Sequence, residues 1–132
     1  MQYLLMLYSD ESTWAAMSPE QQQQGYAAYR AYRDALASSG VLAGSNRLRP
    51  ASTATTIRTT NNKLQVLDGP FIDSKESLGG YFLIDVPDLD AALSWAAKCP
   101  GAHHGSIEVR AIWPTETAQV YSGAHETTVA TR

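Results

Sequence analysis

Tyr3-Leu4-Leu5-Met6-Leu7-Tyr8 is a continuous apolar run of strand length. It shows no alternation of apolar and polar residues, so it predicts a strand buried on both faces. A second run, Tyr81-Phe82-Leu83-Ile84-Asp85-Val86, has the same character and stops at Pro87. One layer of helices can cover only one face of a sheet built on these strands. The other face needs a second layer, and in a chain of 132 residues the simplest source is a second subunit.

Outward from the first run, Ser9 to Met17 reads as a polar connection with a short helical turn, and Trp14 is expected to fold back onto the core. Ser18-Pro19-Glu20-Gln21 then opens a helix. Ser18 suits the N-cap, Pro19 the first turn, and Gln21 completes a capping box. Tyr29, Tyr32 and Leu36, with Gly25, Ala28 and Ala35, predict one apolar face, and Gly40 ends the helix. Val41-Leu42-Ala43 is a short extended piece, followed by a loop to Pro50. The threonine-rich stretch Thr53–Thr60, the turn Asn61-Asn62 and the alternating Lys63–Leu67 predict a hairpin.

Beyond the second run, Asp88 is a credible N-cap, and Leu89, Ala92, Leu93, Ala96 and Ala97 predict a buried helix face that ends at Pro100-Gly101. Ala102-His103-His104-Gly105 connects to a last strand, Ser106–Trp113. The order β-α-β-hairpin-β-α-β predicts an α+β domain over residues 1–114, with both helices on one side of the sheet. Residues 115–132 are rich in threonine, alanine and serine and read as a C-terminal tail or arm.

Composition removes several classes of function. Ten basic and thirteen acidic residues give a net charge of −3, with no basic run, so direct nucleic-acid binding is not expected. A single cysteine excludes an internal disulfide and any site built on several cysteines. No apolar run approaches a membrane span, and Met1-Gln2 offers no basic leader, so a cytoplasmic domain is expected. There is no phosphate-binding loop, dinucleotide glycine pattern or nucleophile elbow, so no cofactor is expected.

The hairpin leads into Asp68-Gly69-Pro70-Phe71-Ile72-Asp73-Ser74-Lys75-Glu76-Ser77-Leu78-Gly79-Gly80. Asp-Gly is strong turn chemistry, Pro70 removes a backbone donor, and Phe71-Ile72 places two apolar side chains on a loop. Gly79-Gly80 predicts a close backbone approach just before the second run. Asp68-Gly69-Pro70-Phe71, Lys75-Glu76 and Leu78-Gly79-Gly80 resemble the signature of the DGPF-type YCII-related family. The resemblance takes in Ala54–Arg58, Asp88–Ala92, Trp95–Pro100 and Gly105–Arg110, and covers about Met1 to Pro114. It implies a ferredoxin-like fold that pairs as a dimeric α/β barrel. It implies a homodimer, and either a cofactor-free isomerase or lyase acting on a small organic acid, or an accessory module associated with extracytoplasmic-function sigma factors.

Candidate chemistry falls in three places. His104, beside His103 in a glycine-flanked loop, and Asp68 are candidate proton carriers. Two adjacent histidines do not make a metal site, and no metal is expected. Glu108 and Arg110 share one face of the last strand, where they can pair or clamp an anion. Phe71 and Lys75 of the central loop, with Arg58 of the hairpin, complete a candidate pocket for a small anionic ligand. Cys99 reads as a small buried packer, since nothing around it favours a thiolate.

Overall fold

A computed structural model describes residues 1–114. The chain runs β1 (Gln2–Ser9), α1 (Glu11–Ala15), α2 (Pro19–Ser38), β2 (Leu42–Arg47), β3 (Thr55–Thr60), β4 (Lys63–Asp68), β5 (Ser77–Asp85), α3 (Leu89–Lys98) and β6 (Ser106–Ala111). Four strands form one antiparallel sheet in the order β2-β5-β1-β6, and β3-β4 form a separate hairpin. Parallel strands β1 and β2 flank β5, and parallel strands β5 and β6 flank β1. These are two interleaved split βαβ units, the ferredoxin-like arrangement that the resemblance implies. The expected tail lies outside the described residues.

Alternation along β1 sets the core. Tyr3 and Leu5 are buried and Leu7 packs against the same cluster, while Leu4, Met6 and Tyr8 face the other way and stay half-buried. On β5, Phe82 and Ile84 join the core, with Leu83 and Tyr81 on the opposite face. Tyr32 and Leu36 of α2 and Ala92 and Ala96 of α3 cover the core side. Tyr32 stacks edge-on to Phe82, with ring centroids 5.1 Å apart, and donates its hydroxyl to the Trp95 carbonyl at 2.7 Å. That bond satisfies the one polar atom the ring takes inside. Among the described residues no layer covers the Leu4–Met6–Tyr8 face.

The helix ends form as the sequence indicates. Gln21 N–H donates to Ser18 Oγ at 3.2 Å, and Ser18 N–H donates to Gln21 Oε1 at 2.9 Å. Gly40 has φ of 76°, and Val41 N–H reaches the Leu36 carbonyl at 3.1 Å, closing a Schellman motif. Asn61 and Asn62 take φ of 51° and 64°, the left-handed pair that a two-residue hairpin requires.

Four expectations need correction. The piece after Gly40 is not confined to Val41–Ala43. It continues as β2 to Arg47, because the β5 edge supplies backbone partners along its length. Gly79 and Gly80 lie inside β5 rather than before it. A Cβ on Gly80 would come within 2.8 Å of the Asn46 carbonyl oxygen, so the close approach is real and its partner is β2. Ala28 and Ala35 of α2 and Leu89, Leu93 and Ala97 of α3 are exposed, because each helix meets the sheet along a narrower stripe than its apolar residues suggest. The last strand ends at Ala111 rather than Trp113.

Among the described residues, the hairpin is the least covered pair of strands. Every residue of β4 is exposed, and of β3 only Thr56 is partly covered. Its base is held by Gly69 N–H donating to the Ala54 carbonyl at 2.7 Å and by Thr56 Oγ1 donating to the Gly69 carbonyl at 2.8 Å. No helix in the described residues is long and apolar enough to cross a membrane.

Candidate functional site

A cleft of about 730 Å³ opens at the end of the sheet where β1 finishes and β6 begins. Three segments build it. The β2–β3 connection supplies Leu48, Arg49, Pro50, Ala51 and Ala54, the β4–β5 loop supplies Pro70, Phe71, Ile72 and Glu76, and the strand ends supply Tyr8, Leu78 and Ser106.

Each segment is held by local chemistry. Pro50 starts a single 3-10 turn, Ala51–Thr53, closed by Thr53 Oγ1 donating to the Pro50 carbonyl at 2.7 Å. Ala51 N–H donates to Glu11 Oε2 at 2.8 Å and ties this turn to α1. Gly69 takes φ of 108°, a conformation glycine adopts freely, and swings the chain out of β4. Pro70 then starts the loop that carries Phe71 and Ile72. At the far end of that loop, Ser106 Oγ donates to Glu76 Oε1 at 3.3 Å, fastening the loop to β6.

The lining is mainly apolar, with few polar groups: one guanidinium from Arg49, one carboxylate from Glu76, and the hydroxyls of Tyr8, Ser74, Ser77, Ser106, Thr53 and Thr56. Such a site grips a flat apolar body and orients it by a few polar contacts. Arg49 suits an anionic oxygen and Glu76 a proton in transit.

Phe71 is 71% exposed, stands in the cleft wall, and carries the Arg58 guanidinium 5.7 Å over its ring. Arg58 itself does not line the cleft. Lys75 stands on the outer rim near Asp10. The Asp10 carboxyl is held below its ordinary value by the Ser12 hydroxyl first, then the Ser12 N–H, with Lys75 adding a smaller effect. Asp68 ends β4 opposite Thr55 at the hairpin base and is exposed. His104 caps the 3-10 turn Pro100–His103, exposed and outside the cleft lining. Glu108 and Arg110 face the open side of the sheet and pair with each other at 2.8 Å. Ser106 is the β6 residue at the cleft, and Arg110 lies four positions on, roughly 13 Å along the strand. The cleft cation is therefore Arg49. The tie to β6 is Glu76–Ser106.

Tyr8, Arg49 and Ser106 were not legible as site residues. Tyr8 reads as part of the first apolar run, and only its place at the end of β1 turns its open-face position into a cleft position. Arg49 lies in a connection without periodicity. Among the described residues, no three of His, Cys, Asp or Glu gather as metal ligands would. Cys99 is fully buried. Burial raises its pKa, and burial also pushes the neighbouring Tyr29 hydroxyl up to about 12. Such a thiol stays protonated and packs as an apolar group.

An uncharacterized protein of Rhizobium meliloti (strain 1021) is 37% identical over 112 residues, covering 83% of this chain and 90% of that relative. The solved structure of 5-chloro-2-hydroxyhydroquinone dehydrochlorinase (TftG) from Burkholderia phenoliruptrix AC1100, in complex with 2,5-dihydroxybenzoquinone, superposes with a TM-score of 0.52 at 15% identity. It covers 86% of this chain and 94% of that one, a likeness of fold. Residues 1–116 match the YCII-related domain, and the chain therefore belongs to the YCII-related family.

Proposed function

We propose that the protein is a cytoplasmic, homodimeric enzyme that moves a proton on a small organic acid, as an isomerase or lyase does. The observation that carries this reading is the cleft, where one carboxylate and one guanidinium stand among apolar side chains and hydroxyls. Arg49 receives the anionic oxygen of the ligand. Glu76, oriented by Ser106, takes a proton from the carbon beside a carbonyl and returns it to another position. An isomerisation of that kind balances without an external reactant. Phe71 and Ile72 wall the cleft, and Lys75 and Arg58 act from the rim as steering cations. The Glu108–Arg110 pair belongs to the sheet face that a second subunit covers. The fold shared with a dehydrochlorinase supports small-molecule chemistry as the class and says nothing of the particular reaction.

The test uses thermal shift with small carboxylic acids and with 2,5-dihydroxybenzoquinone, then NMR detection of deuterium entering the carboxylic acids from D2O. The expected result is a ligand that raises the melting temperature and exchanges a C–H proton. Glu76→Gln keeps the shift and loses exchange, whereas Arg49→Gln weakens binding tenfold or more. Binding without exchange would instead favour an accessory module of the kind associated with sigma factors. No shift from any compound would end the reading.

A further inference from the structure

We infer that Glu11 is a positioning residue of the cleft: from α1 it fixes the backbone that carries Arg49, and so sets where the guanidinium meets a carboxylate ligand. The Arg49 side chain is exposed, and among the described residues no carboxylate pairs with its guanidinium. Its place is therefore decided by the backbone beneath it.

That backbone is fixed on both sides of Arg49. On one side Leu48 N–H donates to the Gly79 carbonyl at 2.8 Å and anchors the chain to β5. On the other, Ala51 N–H donates to Glu11 Oε2 at 2.8 Å, a half-buried contact between residues 40 positions apart. Pro50 stands between the two anchors with φ of −52°, and a proline also holds the residue before it extended. The other bonds of the 3-10 turn run inside it. Thr53 N–H and Thr53 Oγ1 both donate to the Pro50 carbonyl, and Ala54 N–H donates to the Ala51 carbonyl. Those bonds keep the shape of the turn, whereas Glu11 keeps its place. A backbone N–H bonded to a carboxylate makes a stronger bond than one bonded to a neutral carbonyl, and partial burial thins the competing water.

α1 is itself held firmly enough to serve as the anchor. Asp10 caps it, accepting from Ser12 N–H at 3.0 Å. Trp14 meets Tyr26 of α2 edge-on, with ring centroids 5.1 Å apart, and its carbonyl accepts from Gln22 Nε2 at 3.0 Å. Gly25 leaves room for this docking, since a Cβ there would lie 2.8 Å from the Trp14 ring. The line of contacts thus runs from α2 through α1 to the turn and Arg49. Glu11 does for Arg49 what Ser106 does for Glu76.

This inference deepens the cleft reading and rests on it, because Glu11 acts through Arg49. The experiment uses the full chain and takes benzoate as the probe, a flat apolar body with one carboxylate. Benzoate is titrated by NMR into wild type, Glu11→Ala, Arg49→Gln and the double variant. In such a cycle Glu11→Ala should weaken benzoate binding about fivefold in the wild-type background and change nothing in the Arg49→Gln background. Glu11→Gln keeps an acceptor oxygen and should bind within about twofold of wild type. Amide hydrogen exchange at Ala51 should quicken in Glu11→Ala and stay slow in Glu11→Gln. The inference is overturned, and the cleft reading left standing, by any of four results: undiminished binding in Glu11→Ala, an equal loss with and without Arg49, a Glu11→Gln loss as large as that of Glu11→Ala, or unchanged exchange at Ala51. No binding of benzoate by wild type would overturn the inference too, and the thermal-shift set of acids then decides whether the cleft reading falls with it.

Discussion

Gly79 and Gly80 are adjacent in β5, yet alanine should act on them in opposite directions. A Cβ on Gly80 would sit 2.8 Å from the Asn46 carbonyl oxygen and 3.4 Å from the Arg47 Cα. Both are backbone atoms of β2, and β2 is fixed there by the Gly80–Arg47 pairing and by Leu48 N–H donating to the Gly79 carbonyl at 2.8 Å. Neither can move away without opening that edge of the sheet. Overpacking of this kind costs ~1–3 kcal/mol. Removing a glycine from the unfolded chain returns ~0.4–1 kcal/mol, since neither residue has positive φ. The net loss for Gly80→Ala is ~1–2 kcal/mol, which for a domain of this size lowers the melting temperature by ~4–7 °C. At Gly79 the nearest atom to a new Cβ is the Leu7 carbonyl oxygen at 3.9 Å, ordinary contact distance. Gly79→Ala should therefore melt at or slightly above wild type. Thermal and urea melts followed by circular dichroism read both effects. Should Gly80→Ala melt no lower than Gly79→Ala, the close approach of β2 to Gly80 is wrong.

Two further outcomes follow from the core and the first long helix. The folded pKa values of Cys99 and Tyr29 are raised by burial, the latter to about 12, while the unfolded chain ionises at the ordinary 9.0 and 10.0. The unfolded state thus sheds protons first, so stability is intact below pH 9 and falls as pH rises from 9 towards 12. Melting temperatures across that range should drop, less steeply at the start in Cys99→Ala, and a flat profile would contradict the burial of both groups. Ser18→Ala removes the acceptor for Gln21 N–H and should cost ~1 kcal/mol, or about 3–4 °C in the same melt, whereas Ser18→Asp should retain most of it.

Much of the fold was written in local chemistry. The two apolar runs, the capping box at Ser18 and Gln21, Gly40 and the Asn61-Asn62 turn each carry a signal that needs no distant partner, and each marks its element. β2 carried no such signal. Gly44, Ser45 and Asn46 have little strand preference, and they are extended because β5 offers them hydrogen-bond partners. Leu89 and Leu93 misled for the converse reason: periodicity shows that a helix has an apolar stripe, while the sheet beneath decides how wide a stripe it covers. At the site, Phe71 was visible as an apolar ring on a loop. The cations were not, because strand position decides which end of β6 meets the cleft, and Arg110 and Ser106 belong to the same short strand.

The sheet order also bears on how the chain is made. β1 is an inner strand, flanked by β5 and β6, and its pairings join Tyr3 to Ile84 and to Ala111. Both neighbours are synthesised long after it. At about 5–20 residues per second, the most apolar strand of the protein waits roughly 5–20 s for its second neighbour. During that interval its backbone donors and leucines face water or whatever holds the nascent chain. The β3–β4 hairpin, whose strands pair with each other across two asparagines, needs no strand made later. Assembly on the ribosome therefore leaves the centre of the four-stranded sheet until late, when β6 emerges and pairs with β1.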